Sequence, residues 1–470
     1  MAAVDLFGVS LFGKSTNVTS QERLNCYIEF QPGDDRAVKA IFGTPGLDLF
    51  TSFGDTPIRG MYVRDDLLYL VHRGTLWSVN NAGVKTSLGL LNTTSGRVYL
   101  TDNGAQLMLT DGTDGYTYTY ATATFAQITD SDYPGASTNG WMDGYFIINR
   151  PGTQRFYVSA INDATSWDAL DFASAESNPD DLVRVFPDNG KLYLFGQLST
   201  EFWVNAGNQD FPFVKISGGS IEYGCASPAS VCKYDNSVAF LARNPAGDVF
   251  IARMNQGLPQ RLSTPELEYI INKYGAVSDA TAFSYMVDGH PMLQVNFPTG
   301  GESWLYDGLS KLWSRLESNE ITRHRAEMGV EFVNRIIVSD YENGNLYRLN
   351  PDSYTDNGAP IAMELISRHI SNGNKQLIID SVTLDMESGV GLATGQGSNP
   401  QIMLQISRDG GHTYGNEQWK SFGKIGRYLQ RVVWRRLGAA YDWTFKLRIT
   451  DPVKRVITVP VHIEARPGNK

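Results

Sequence analysis

Residues 58–79 read Ile58-Arg59-Gly60-Met61-Tyr62-Val63-Arg64-Asp65-Asp66-Leu67-Leu68-Tyr69-Leu70-Val71-His72-Arg73-Gly74-Thr75-Leu76-Trp77-Ser78-Val79. An apolar strand at 67–71 follows an acidic pair and precedes an aromatic strand at 76–79. Asp and Asn tolerate the positive φ angles of a two-residue hairpin turn. Aromatic and β-branched residues suit a pleated, half-buried surface. The unit is therefore strand, tight turn, apolar strand, gap, aromatic strand.

Working outward, the same unit recurs to about residue 350. Its second strands fall at 67–71, 106–110, 145–149, 191–195, 237–242, 291–297 and 335–339, with starts 39 to 54 residues apart. That spacing is close to the 40–50 residues of a four-stranded propeller blade. The preceding turns are Asp65-Asp66, Asn103-Gly104, Asp143-Gly144, Asn189-Gly190, Asp235-Asn236, Asp288-Gly289 and Val333-Asn334. Val333-Asn334 fits hairpin chemistry least. Third strands repeat the aromatic pattern, as in Phe156-Tyr157-Val158, Phe202-Trp203-Val204 and Trp304-Leu305-Tyr306. In a propeller such aromatics pack between neighbouring blades.

One helix is expected, over 264–274, where Thr264 can cap and Pro265 opens a run of helical apolar spacing. A strand at 38–42 or at 47–53 is available to pair into the last blade and close the ring. After residue 360 the period is lost. Alternating strands at 401–407, 431–435 and 443–449, separated by Gly-rich turns, read as a sandwich. The expected class is all-β: a β-propeller of about seven blades over 58–360, then a small C-terminal β-sandwich over 361–470. Residues 1–57 form an N-terminal segment carrying the propeller-closing strand.

Composition agrees. The 470 residues include 46 Gly, 23 Tyr, 22 Phe and 9 Trp, and 19% are charged, which excludes a disordered chain. The net charge of −10 argues against a surface that grips nucleic acid all round. That charge is polarised: residues 361–470 carry 15 Lys+Arg against 9 Asp+Glu, and residues 1–360 carry 25 against 41. Three cysteines, Cys26, Cys225 and Cys232, make no disulfide framework or zinc spacing and read as small buried thiols. Asp5 and the missing basic start argue against a signal peptide, and no apolar run is long enough to span a bilayer.

Catalytic signatures are sparse. The histidines His72, His290, His324, His369, His412 and His462 show no paired metal spacing, and no nucleophile elbow or phosphate loop occurs. The acid pairs Asp34-Asp35, Asp65-Asp66 and Asp180-Asp181 read as solvated turns, since adjacent residues on a strand face opposite ways. Asp111–Gly115 is too short for a calcium loop. The triplets at Asn17 and Asn92 match a glycosylation pattern without a secretion signal. Residues 407–414, Ser-Arg-Asp-Gly-Gly-His-Thr-Tyr, match an Asp-box hairpin. That motif occurs in sialidases and in many non-enzymes, and its role is structural.

The candidate interface is basic and aromatic. Lys420, Lys424, Arg427, Arg431, Arg435 and Arg436 are interleaved with Trp419, Tyr428 and Trp434. Such a stretch suits an acidic protein ring, a nucleic acid, or merely a solvated strand face. Trp419, Lys424, Arg427, Arg431, Arg435 and Arg436 are the interface residues expected from sequence. A propeller glycan-binding protein or glycoside hydrolase is the alternative class. The latter should carry two carboxylates in a pocket near the axis.

These residues also carry a likeness. Trp419–Gly426, Arg431–Gly438 and Phe445–Pro452 together resemble the C-terminal signature of tail proteins from short-tailed phages. Ser20–Glu29, then Gly43–Leu47 and Ile58–Gly60, resemble the N-terminal part of the same group. The chain is thus similar to the packaged-DNA stabilisation, or tail-hub, family. That resemblance implies a virion structural role with no catalytic residues and no cofactor. It implies a homo-oligomer, usually a hexamer, below the portal and its adaptor ring. Such a hub holds a tail needle or plug, borders tailspikes or fibres, and passes DNA without reading sequence. It is made and assembled in the host cytoplasm.

Overall fold

The computed structural model describes residues 2–8, 14–16, 18–30, 39–319 and 321–468. Asn17, Asp34, Asp35 and Val38, singled out above, lie outside the described residues. Seven antiparallel sheets follow one another along the chain, each beginning with its innermost strand. Those inner strands are Ile58–Arg64, Tyr99–Asp102, Thr138–Met142, Leu182–Asp188, Cys232–Tyr234, Thr281–Val287 and Ala326–Phe332. In blade five the inner edge is shared with Gly224–Cys225, and the single turn of 3-10 helix at Pro228–Ser230 separates the two pieces.

Five of the seven turns into the second strands are left-handed at both central residues, while Asp65-Asp66 and Asn103-Gly104 are so at one only. Asn189 and Gly190 sit at φ 48° and 71°, Asp288 and Gly289 at 49° and 85°. Val333 and Asn334 adopt the same pair, at 48° and 57°. A β-branched residue there is strained, so hairpin geometry has overridden local preference. The helix runs Pro265–Ile271, and the Thr264 hydroxyl accepts from the Leu267 amide at 3.4 Å.

Each of the seven gaps between blades holds its own apolar cluster. Tyr69, Val71, Leu107 and Tyr118 fill the gap between blades one and two. Phe195, Phe202, Phe240 and Phe250 fill that between four and five. The ring closes where Phe332 and Ile337 of blade seven pack on Leu68 and Leu70 of blade one. Aromatic and branched side chains therefore act mainly as mortar between sheets.

Blade seven takes its outer strand from the N-terminal segment. Gly46–Ser52 pairs antiparallel with Asn345–Asn350. A side chain at Gly46 would lie 2.5 Å from the Thr355 carbonyl and 2.6 Å from that of Ser353, so only glycine fits this crossing. Lys39–Gly43 runs elsewhere, between Cys26–Phe30 and Val456–Val459.

The remaining strands build a sandwich. One sheet orders Ala2–Val4, Val461–Pro467, Leu377–Leu384 and Val432–Ala440. The facing sheet orders Glu22–Leu24, Met363–Ile366, Asp442–Ile449, Gln401–Ser407 and Gln418–Ser421. Trp434, Trp443 and Phe445 fill its core together with Leu6, Phe7, Cys26 and Ile41 from the N-terminal segment.

Propeller and sandwich share a sheet. Glu22–Leu24 pairs in parallel with Leu312–Leu316, the outer strand of blade six, and antiparallel with Met363–Ile366. Around this seam the Arg23 guanidinium donates to the Trp313 carbonyl at 2.9 and 3.1 Å. Asn25 Nδ2 donates to the carbonyls of Glu317 and Ala362, while its Oδ1 accepts from the Glu317 amide. Arg455, fully buried, donates to the Ile361 carbonyl at 2.6 Å. Residues 20–29, singled out by resemblance, thus stitch the two bodies together.

Candidate assembly surface

The basic, aromatic stretch lies along one side of the sandwich. Gln418–Ser421 is the outermost strand of one sheet, and Val432–Ala440 is outermost on the other. The loop 422–431 links these two edges. Trp434 is not part of the exposed surface. Its ring is buried, and its indole N–H donates to the Gln418 carbonyl at 2.9 Å, tying edge to edge.

Alternation along the strand decides which side chains face out. Val432, Trp434 and Leu437 point inward; Arg435 and Arg436 are both exposed. Two consecutive exposed residues are possible because the ladder slips here: Ile379 pairs with Gly438, whereas Ser381 pairs with Arg435. Arg436 takes up the extra residue at φ 59°. Such a bulge with charged side chains also keeps an edge strand from pairing indiscriminately.

Arg431 and Arg435 line an open groove with Ser381, Thr383, Val433, His462 and Glu464. Arg431 Nε is 3.5 Å from Asp385. Among the described residues, Lys424, Arg427, Arg435 and Arg436 have no carboxylate within 4.0 Å, whereas most other arginines of the sandwich are paired or hydrogen-bonded. Between these cations sit exposed apolar groups: Trp419 at 54%, Ile425 at 64%, Tyr428 at 72% and Leu429 at 98%. Unpaired cations around exposed aromatic and aliphatic side chains are the composition of a protein-binding patch. Tyr428 packs back on Gly389, whose own side-chain position would fall 2.6 Å from the ring, so the loop is held rather than loose.

The Asp-box hairpin is a structural clasp. Asp409 accepts from the Thr413 amide at 2.9 Å, the Thr413 hydroxyl at 2.5 Å and the Ser407 hydroxyl at 2.7 Å. These bonds hold its carboxyl well below the usual carboxylate range. The hairpin rests against the N-terminal segment, with His412 Nε2 3.2 Å from the Thr16 hydroxyl.

At the mouth of the propeller axis lie two carboxylates, Asp279 and Glu327. Asp279 accepts from the Thr299 amide and hydroxyl, at 2.9 and 2.7 Å. Glu327 pairs with Arg323. Cys26 and Cys225 are buried, Cys232 half-buried, and all three are unbridged. Burial pushes the Cys26 and Cys232 thiols up to about 12, far from a reactive thiolate. No group of three or more metal-ligating side chains occurs among the described residues, and no helix there is long and apolar enough to cross a membrane. The likeness at residues 20–29 marks Arg23 and Asn25 without giving them a role, and Arg455 lies outside its motifs, because backbone carbonyls supplied by distant segments leave no local signature.

Residues 41–354 match a family model described as Bacteriophage P22 Gp10, beta-propeller, and residues 362–464 match one described as Bacteriophage P22 Gp10, beta-sandwich. The chain belongs to the bacteriophage P22 Gp10 family. It is therefore a structural protein of a phage tail, and its place is the virion. The two Gp10 matches fall in chain order on the two bodies described above. No curated protein matches the chain. Solved structures with some likeness include the extracellular domain of the one-component system BT4673 from B. thetaiotaomicron, at 10% identity and TM-score 0.46. That match covers 92% of this chain, which spans 61% of the other. YCF48 bound to D1 peptide has 11% identity and TM-score 0.43, over 66% of this chain and 98% of that one. The WD40 β-propeller domain of Doa1 has 14% identity and TM-score 0.39, over 64% and 96%. At these values the likenesses say nothing of function.

Proposed function

We propose that this Gp10-family chain is the non-enzymatic subunit of a six-fold tail hub. The hub extends the DNA channel below the portal and adaptor ring, holds the needle or tail tip, and retains packaged DNA. The observation that carries the reading is the pair of family matches, one on each body of the chain.

The geometry supports it in three ways. A ring needs a repeated head-to-tail contact between copies. The acidic propeller and basic sandwich edge offer opposite charges for such a contact, or for an acidic adaptor ring. The shared sheet at Leu24 and Arg315 makes each subunit one body able to carry load between neighbours. An acidic wall would also let DNA slide past, because phosphates are repelled.

The test is particle behaviour. Phage lacking this chain should package DNA normally and then lose it, becoming sensitive to added nuclease. Particles that keep their DNA without the chain would refute the retention role.

A further inference from the structure

The propeller axis is an open cavity of about 600 Å³ at its mouth, and a second of about 430 Å³ lies further in. Arg97 and Tyr99, on and just before the inner strand of blade two, line both. Among the described residues, six cations line these two cavities, Arg59, Arg73, Arg97, Arg184, Lys233 and Arg323, against two carboxylates, Asp279 and Glu327.

Four of the six are already committed. Arg59 donates to the carbonyls of Arg73, Thr93, Ser95 and Gly96 and to the Thr93 hydroxyl. Arg73 pairs with Asp55 at 2.9 Å, Lys233 with Asp188 at 3.4 Å, and Arg323 with Glu327.

Arg97 and Arg184 differ. Among the described residues neither has a carboxylate within 4.0 Å. Arg184 Nε is buried and donates to nothing. Arg184 comes from blade four and reaches past the inner strand of blade three to stack on Tyr99 of blade two, 4.2 Å from its centroid. Arg97 lies 5.9 Å from the same centroid. The two guanidiniums therefore converge on one ring, inside a propeller that is otherwise strongly acidic. Burial holds both below the usual arginine range, and the Arg97 charge adds to the lowering of Arg184.

Two neighbouring half-buried cations without a carboxylate partner are costly, and their planar donor forks match phosphate oxygens. We propose that the propeller axis binds a phosphate-bearing anion between Arg97 and Arg184. This site is independent of the assembly surface on the sandwich.

The full-length chain can be titrated at low salt with pyrophosphate, and with a short DNA strand with or without a 5′-phosphate. Binding is read by calorimetry and by the shift in unfolding temperature. The same titrations are made on Arg97→Met plus Arg184→Met. This variant removes two half-buried charges without opening a void, so it should fold, and its unliganded unfolding temperature checks that directly. Saturable binding of pyrophosphate by the parent chain, weakened at least about tenfold in the variant, supports a free anion. A preference for the 5′-phosphorylated strand, lost in the variant, supports a strand end instead. Equal binding by the parent chain and a folded variant, or no binding of either probe, overturns the site.

Discussion

Leu24 pairs in parallel with Arg315, and this pairing joins blade six of the propeller to the sandwich as one sheet. Asn25 secures the seam with three hydrogen bonds and is itself held at φ 52°. Replacing it by alanine leaves buried partners unpaired and strains the backbone. Asn25→Ala should cost about 3 kcal/mol. It should also split one thermal unfolding transition into two, as the bodies uncouple. A single unshifted transition in scanning calorimetry would contradict this role.

Val333 should be a point of stored strain. Its β-branched side chain sits at φ 48° in a turn where the other blades place Asp, Asn or Gly. Val333 packs only partly against its neighbours. Val333→Asn is expected to stabilise the propeller by roughly 1 kcal/mol, read from urea unfolding. A destabilised variant would mean that the valine's packing outweighs the strain.

Acid should loosen the propeller at His324. This buried imidazole accepts from the Ala326 amide through Nδ1, and burial pushes its pKa from 6.5 down to about 4. The unfolded chain therefore binds more protons between those values, so stability is full above about 6.5 and falls as pH drops toward 4. Burial raises Glu22 and Glu317 at the seam, and their protonation acts with the opposite sign. The difference between parent and His324→Asn isolates the histidine. The parent's urea midpoint should fall more between pH 7 and pH 5 than the variant's. Parallel curves would contradict the assignment.

The sandwich edge should matter for assembly and not for folding. Arg435 and Arg436 are exposed and lack a carboxylate partner among the described residues. Arg435→Glu plus Arg436→Glu should leave the unfolding temperature nearly unchanged while abolishing higher-order species in sedimentation. Leu429→Ser, at 98% exposure, should weaken assembly in the same way. Intact assemblies from both variants would place the interface elsewhere.

Much of this architecture is written locally. Asn-Gly and Asp-Gly pairs set hairpins through backbone geometry, and aromatic third strands repeat because every gap between blades needs filling. Thr264 and Pro265 likewise announce their helix. The candidate edge was legible as basic and aromatic, but its orientation was not. A one-residue slip near Ser381 exposes both Arg435 and Arg436, and no strand pattern foretells a bulge. Nor does local pattern reveal that Trp434 is core while Trp419 is surface. The axial arginines were invisible for a similar reason: Arg97 and Arg184 meet only because blades two and four curve around blade three.

The most direct measurement is the copy number of this chain on purified portal and adaptor, by native mass spectrometry. The hub account predicts six copies bound as a closed ring, with no stable complexes of fewer. A single bound copy, or no complex at all, would contradict it.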